Sequence, residues 1–222
     1  MTTGQAPQTR RRAYRSPRRE QQAAETRAAV LEAAVRLFGE RGWAATGMRE
    51  VARVAGVSVE TVYAGFGSKS DLLMAALDVA AVGDTAPVPL DQRPEFAALG
   101  SGTRQQRVAA AARGITGAHQ RTTGLYLALR EAAASDSDLA RRLHEVEERR
   151  RVSIGQALSL VAGRAVTGQE RDGLWAVLAV EVYQLLTGPS GWTPQQYQTW
   201  VAAVIDRLLD QAPQREAEGE GK

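Results

Sequence analysis

The chain has 222 residues, 44% hydrophobic and 24% charged, which is enough apolar material for the core of one domain or two small ones. It contains no cysteine, which excludes a disulfide framework, thiolate catalysis and cysteine metal sites and fits a reducing compartment. The formal net charge is only +3, but it is unevenly placed: residues 1–20 hold six arginines (Arg10, Arg11, Arg12, Arg15, Arg18, Arg19) against Glu20 alone. A basic arm on a near-neutral body points to a polyanionic partner, a nucleic acid or an anionic surface; a solvated start in an arginine-biased chain is the plainer alternative. No apolar run approaches the roughly 18 residues of a membrane span and no signal-type apolar segment follows the arginines, so the sequence reads as a cytoplasmic protein without a membrane partner.

Helical periodicity dominates, and neither alternating strand patterns nor a fixed repeat stands out; the expected fold class is all-α. After the basic arm, 1–20, a first helix is predicted from about Gln21 to Glu40, with Val30, Ala33, Ala34, Leu37 and Phe38 on one stripe. Arg41-Gly42 ends it, and Trp43 follows as a core plug. A short helix from Thr46 or Gly47 to Val54 or Ala55 and another from Ser58 to Ala64 come next. Ser68 caps a fourth, which carries Leu72, Leu73, Ala76 and Val79 on one face. Gly83 to Gly102 holds three of the eight prolines and reads as a connection, with a helical turn around Glu95 to Leu99. The domain boundary is therefore placed at 82/83. Helices are expected at roughly 103–120, 122–134, 136–163, 168–188 and 193–212 within a second domain, 83–212, and the charged tail 213–222 is expected to be disordered.

The segment 46–65 has the proportions of a helix-turn-helix. Ala52 is the small residue where two helices approach, Gly56 supplies a left-handed turn, and Val62 is the branched residue that packs back into the core. With Val62 inward, Ser58, Val59, Thr61 and Tyr63 populate the exposed sides of the third helix, where short hydroxyl- and methyl-bearing side chains suit base edges and phosphates. Glu60 suits the helix N-terminus electrostatically, or could accept from a cytosine amino group. Phe66 is read as core, whereas Tyr63 serves equally as core ring or phosphate contact.

The run "VLEAAVRLFGERGWAATGMREVARVAGVSVETVYAGFGSKSDLL", residues 30–73, resembles the tetracycline-repressor (TetR) family of bacterial transcription regulators. The resemblance implies a helix-turn-helix DNA-binding domain (21–82), a connecting fourth helix, and a C-terminal helical domain for dimerisation and ligand binding. By position, Thr46 resembles a family residue that touches a phosphate, Ser58, Val59, Thr61 and Tyr63 resemble recognition-helix contacts, and Lys69 resembles the phosphate-binding lysine opening the fourth helix. Arginines just before the reading unit, Arg18 and Arg19 nearest it, would enter the minor groove or neutralise phosphates. Three positions depart from the family pattern: Gly47 in place of threonine or serine, Glu60 in place of glycine or alanine, and Gly65 in place of histidine or tyrosine.

The resemblance fades after residue 80. His119 and Tyr126 are each either satisfied core residues or ligand contacts. Arg150 falls on the apolar stripe Leu139, Leu143, Val146, Ile154, Leu158, Val161, where it needs Glu147 or an anionic ligand as partner unless it turns out to solvent beside Arg149 and Arg151. Trp175, Leu178, Val182 and Leu185, then Trp200, Val204 and Leu208, give broad apolar faces suited to a four-helix homodimer interface. The function expected is a homodimeric repressor on a palindromic double-stranded operator, released by a small, largely apolar effector. The alternative is a DNA-binding regulator with no small-molecule ligand, constitutive or controlled by a protein partner. No metal, cofactor or catalytic site is expected, since the two histidines, His119 and His144, have no cysteine, phosphate loop or matched carboxylate pair beside them.

Overall fold

The computed structural model describes residues 17–84, 88 and 92–210, and among these the regular structure is helical. Four helices form the head: α1 (Pro17–Arg41), α2 (Met48–Ala55), α3 (Val59–Phe66) and α4 (Lys69–Val82). The body follows: α5 (Pro94–Ala97) with a 3-10 turn at Ala98–Gly100, then α6 (Arg104–Ala133), α7 (Ser137–Ala162), α8 (Gly168–Val177), α9 (Val180–Thr187) and α10 (Pro194–Asp210).

Helix α1 starts at Pro17, ahead of the expected Gln21. Proline fits the first helical position, where no backbone donor is needed, and Glu20 in the first turn complements the helix dipole. Arg18 and Arg19 therefore stand exposed on a helix and are not part of an irregular arm; the other arm arginines lie outside the described residues. Helix α6 runs through Thr122-Thr123-Gly124, where the sequence predicts a break. The two threonines stay helical by donating their hydroxyls back to Ala118 O (2.8 Å) and His119 O (2.6 Å). Gly124 has a packing role: a Cβ there would overlap the Gly39 backbone, so α6 crosses α1 at this glycine. The single helix expected at 168–188 is instead two, broken where Leu178 and Ala179 leave helical geometry.

Two apolar clusters organise the fold. The first joins Val30, Leu37 and Phe38 of α1 to Val51, Val62, Leu72, Leu73 and Ala76, and includes Leu125, Ala128, Leu129 and Ala132 from the second half of α6. The other collects Val108 and Ala112 from the first half of α6 with Leu158, Leu174, Leu178, Tyr197, Val201 and Ile205. A boundary at 82/83 marks where the chain passes between head and body but does not separate their cores. At 30 residues, α6 is about 45 Å long, enough to serve both. Each leucine buried this way contributes about 1.5–3 kcal/mol.

Candidate nucleic-acid interface

The turn between α2 and α3 is built as its residues dictate. Gly56 is left-handed (φ 69°), and the Val57 amide bonds back to Ala52 O at 3.0 Å, closing α2 with a Schellman-type turn. Ser58 caps α3: its Oγ accepts from the Thr61 amide at 3.2 Å and lies 3.0 Å from the Thr61 hydroxyl. Val62 is fully buried, which fixes the rotation of α3 and leaves Ser58, Glu60, Thr61 and Tyr63 outward. Tyr63 is 52% exposed, which settles its direction in favour of the surface. Phe66 is half-buried against the first core, and Arg27 of α1 covers its ring at 4.4 Å while donating to Gly65 O at 3.2 Å. Gly65 does not shorten α3, which continues to Phe66.

Three of the expected contact residues are placed differently. Thr46 is 1% exposed and its hydroxyl donates to Leu37 O at 3.0 Å. A buried hydroxyl must be satisfied internally, so Thr46 locks α1 to the start of α2 and presents nothing to a phosphate. Val59 is half-buried and packs on the first core. Lys69 is pulled inward: its Nζ donates to Trp43 O at 2.6 Å and sits 4.0 Å over the Trp43 ring, which in turn stacks on Phe38. Partial burial pushes the Lys69 ammonium below the usual lysine range, and the Glu131 carboxylate opposes that shift. Gly47 caps α2 with extended backbone and no side-chain bond, as its lack of a side chain requires.

Sequence reasoning missed Arg49. It is exposed in the first turn of α2, and among the described residues it has no ion pair, whereas neighbouring Arg53 and Arg41 are both bound to Glu50. Hydrogen bonds from Arg53, then from Arg41, hold the Glu50 carboxyl down at about 2. The inward pattern Met48, Val51, Ala52 could have exposed Arg49 as outward-facing. Also missed was Glu131 of α6, whose carboxylate accepts from the Trp43 amide (2.8 Å) and the Ala44 amide (3.2 Å) across separations of 88 and 87 residues. Two further ties join head and body: Arg142 bonds Asp71 at 2.8 Å, and Arg121 donates to Ala80 O at 2.8 Å at the end of α4. Beside them, a cleft of about 860 Å3 opens between α1, α4 and α6, with Ala33, Val54, Val79 and Ala80 in its wall and Glu32, Arg36 and Glu40 at its rim.

These features have counterparts in known proteins. The sequence model described as "Bacterial regulatory proteins, tetR family" matches residues 30–76, the span from mid-α1 to mid-α4. Over that span the chain is similar to the tetR family of bacterial regulatory proteins. Over 61 residues it is 43% identical to the HTH-type transcriptional regulator TtgR of Pseudomonas putida, covering 28% of this chain and 29% of that relative. The chain thus matches less than a third of the length of such curated relatives. In fold, it is similar to a putative TetR-family transcriptional regulator from Rhodococcus sp. (TM-score 0.63, 21% identity, 84% of this chain and 99% of that one). A second similar fold is a putative TetR-family regulator from Mesorhizobium loti (TM-score 0.61, 19% identity, 85% and 96% covered). The family's signature thus falls on the helices that hold the exposed face of α3.

In the body, His119 is 3% exposed and its Nδ1 lies 2.9 Å from the Tyr197 hydroxyl. Its Nε2 meets Arg150 Nη2 at 2.9 Å, and the same Nη2 donates to Leu178 O at 2.9 Å. Arg150 therefore turns inward, away from Arg149 and Arg151, and Glu147 pairs instead with Arg130. Tyr126 is buried, with the guanidinium 5.5 Å from its ring centre. Burial first, and the Arg150 charge second, push the His119 imidazole down to about 3, so it is neutral. Of the expected dimer residues, Leu178 is fully buried in the body's own core and is withdrawn from any interface. Leu185 is 60% exposed, and Trp175, Val182, Trp200, Val204 and Leu208 are half-buried. No helix among the described residues is long and apolar enough to cross a membrane, and no cluster among them could hold a metal ion.

Proposed function

We propose that the protein is a homodimeric transcriptional repressor, acting in the cytoplasm, that binds a palindromic DNA operator through α3 and leaves it when a small, largely apolar ligand binds the body. The observation that carries the DNA-binding part is the outward set Ser58, Thr61 and Tyr63 on a helix capped at one end and anchored by the fully buried Val62. An α-helix of this kind enters a major groove, with short polar side chains at base edges and α2 crossing the backbone, where Arg49 meets phosphate. Arg18 and Arg19 extend the positive field at the start of α1.

The dimer part is supported by the apolar residues that α8 to α10 leave uncovered, Leu185 foremost. A second copy pairing on that face would set two α3 helices on half-sites about one helical turn or a multiple apart. Ligand release requires an effector that favours a head spacing unlike that of operator DNA, because equal binding to both states shifts nothing. The ties from α6 and α7 to the head, through Glu131, Arg121 and Arg142, supply a route for that preference.

The test is a duplex-binding titration on a site selected from random DNA. Tyr63→Ala and Thr61→Ala are expected to weaken binding by about tenfold each, with unchanged unfolding midpoints, since each loses an exposed contact worth about 1–3 kcal/mol. Unchanged affinity in both folded variants would remove α3 from the interface. A broad metabolite panel that never alters duplex binding would leave a DNA-binding regulator without a small-molecule ligand.

A further inference from the structure

We infer that the effector carries a carboxylate on an apolar frame and that Arg150 receives it, at the junction between the two cores. This deepens the ligand-released regulator proposed above and rests on it. Among the described arginines of the body, Arg150 is the one bonded to a buried imidazole; Arg107 and Arg121, which also have no carboxylate partner, bond backbone carbonyls. Arg104, Arg130, Arg141, Arg142, Arg149, Arg151, Arg164 and Arg171 each pair with a carboxylate. Among the described residues Arg150 pairs with none, although it is half-buried and bonded inward. A cation withdrawn from water without a counter-charge is costly, and an anion offsets that cost.

The hydrogen-bond inventory points the same way. Arginine donates only, so His119 Nε2 must accept from it; Nδ1 then carries the proton and donates to the Tyr197 oxygen. The hydroxyl hydrogen of Tyr197, a fully buried residue, is left over. Tyr126 adds a second phenol beside the guanidinium. Among the described residues, the buried side-chain polar atoms without any partner are Thr116 Oγ1 and Trp175 Nε1. Thr116 stands one turn before His119 on α6, and Trp175 one turn before Leu178 on α8. The nearby acceptors, His119 Nε2 and Leu178 O, are already taken by Arg150. Arg150 and Tyr197 therefore leave one uncompensated positive charge and one spare hydroxyl donor around His119, which an acceptor-only group of charge −1 completes. A planar carboxylate matches the guanidinium fork, whereas a doubly charged phosphate would exceed the single cation. Leu178, Tyr183 and Val146 around the cluster suit an apolar frame.

The site also bears on the head. Tyr126 belongs to the head-side core and Tyr197 to the body's own, while Arg150 holds the Leu178 carbonyl where α8 breaks into α9. A carboxylate drawing on that guanidinium acts on both cores at once.

The experiment uses the full chain at constant ionic strength, with octanoate against octanamide, benzoate against benzamide, and phenylacetate against phenylacetamide. Thermal stabilisation and calorimetric titration report binding, and the selected duplex reports release. At least one acid is expected to stabilise the protein and release DNA with about tenfold or greater preference over its amide. Arg150→Gln is expected to abolish that preference, each variant's release being read against its own unliganded duplex affinity; Arg150→Lys, which keeps the charge, retains part of it and guards against a folding artefact. Absence of acid binding at about 10 mM, equal binding of acids and amides, or undiminished acid binding by Arg150→Gln would overturn the inference. Neutral compounds that release DNA from wild type and Arg150→Gln alike would end this inference and leave the regulator proposal standing, with the cleft between α1, α4 and α6 as the alternative site. If no compound, acid or amide, releases DNA, the ligand part of that proposal fails as well.

Discussion

Head and body treat their buried polar groups in opposite ways. In the head the buried Thr46 closes on Leu37 O and the half-buried Lys69 on Trp43 O, each a backbone partner nearby. In the body, Thr116 and Trp175 have buried polar atoms without partners, and Arg150 lacks a counter-charge. Satisfied networks hold one geometry, whereas unsatisfied buried groups favour whatever supplies the missing bond. Under the proposed function, the contrast assigns rigidity to the proposed reader and responsiveness to the proposed sensor.

The contrast can be broken at several points. Leu129→Ala lies on a body helix but in the head's core, and its fully buried side chain should cost about 3 kcal/mol in urea unfolding. If that loss leaves the helices of the head as stable as before by hydrogen exchange, the shared core is wrong. Next in size is the pH response. The folded pKa of His119, about 3, lies below its ordinary 6.5, so the unfolded chain binds the extra proton between these values and stability falls as pH drops through 6.5. From pH 7 to pH 5 the loss should be about 2 kcal/mol, and His119→Gln should flatten it. Arg150, Tyr183 and Tyr197 face the imidazole; burial pushes both phenols up, away from that window, and the carboxylates held at about 2, Glu50 and Glu170, lie below it.

Smaller effects separate holding from reading within the head. Thr46→Val removes a buried donor from Leu37 O and should cost about 1–2 kcal/mol of stability without altering the salt dependence of duplex binding. Arg49→Ala should leave stability within about 0.5 kcal/mol and reduce the salt slope by about one. If Thr46→Val lowers that slope and Arg49→Ala does not, their roles are reversed.

The head was legible from its sequence because its signals are local. The spacing Ala52–Gly56–Val62 and the caps Ser58 and Ser68 all act within a few residues, and all appear in the fold. What failed there was side-chain direction: Thr46 and Lys69 look available for phosphate until Leu37 and Trp43 are known to sit beside them. In the body, helix existence was legible and helix boundaries were not. Threonine hydroxyls bonded back along α6 kept 122–124 helical, and the break at Leu178 coincides with a carbonyl held by Arg150 from another helix. No periodicity within 168–188 reports a partner 28 residues away. Glu131 was equally silent, since its amide partners lie 87 and 88 residues earlier.

The crossing at Gly124 sets a rule for recombination. Because α6 seats Leu125, Ala128, Leu129 and Ala132 beneath the head and touches α1 where only a glycine fits, a chimera cut at residue 83 would transplant four helices without their floor. The transplantable unit is discontinuous: helices α1 to α4 together with the second half of α6, so any foreign body must present a bare glycine crossing before it can receive this head.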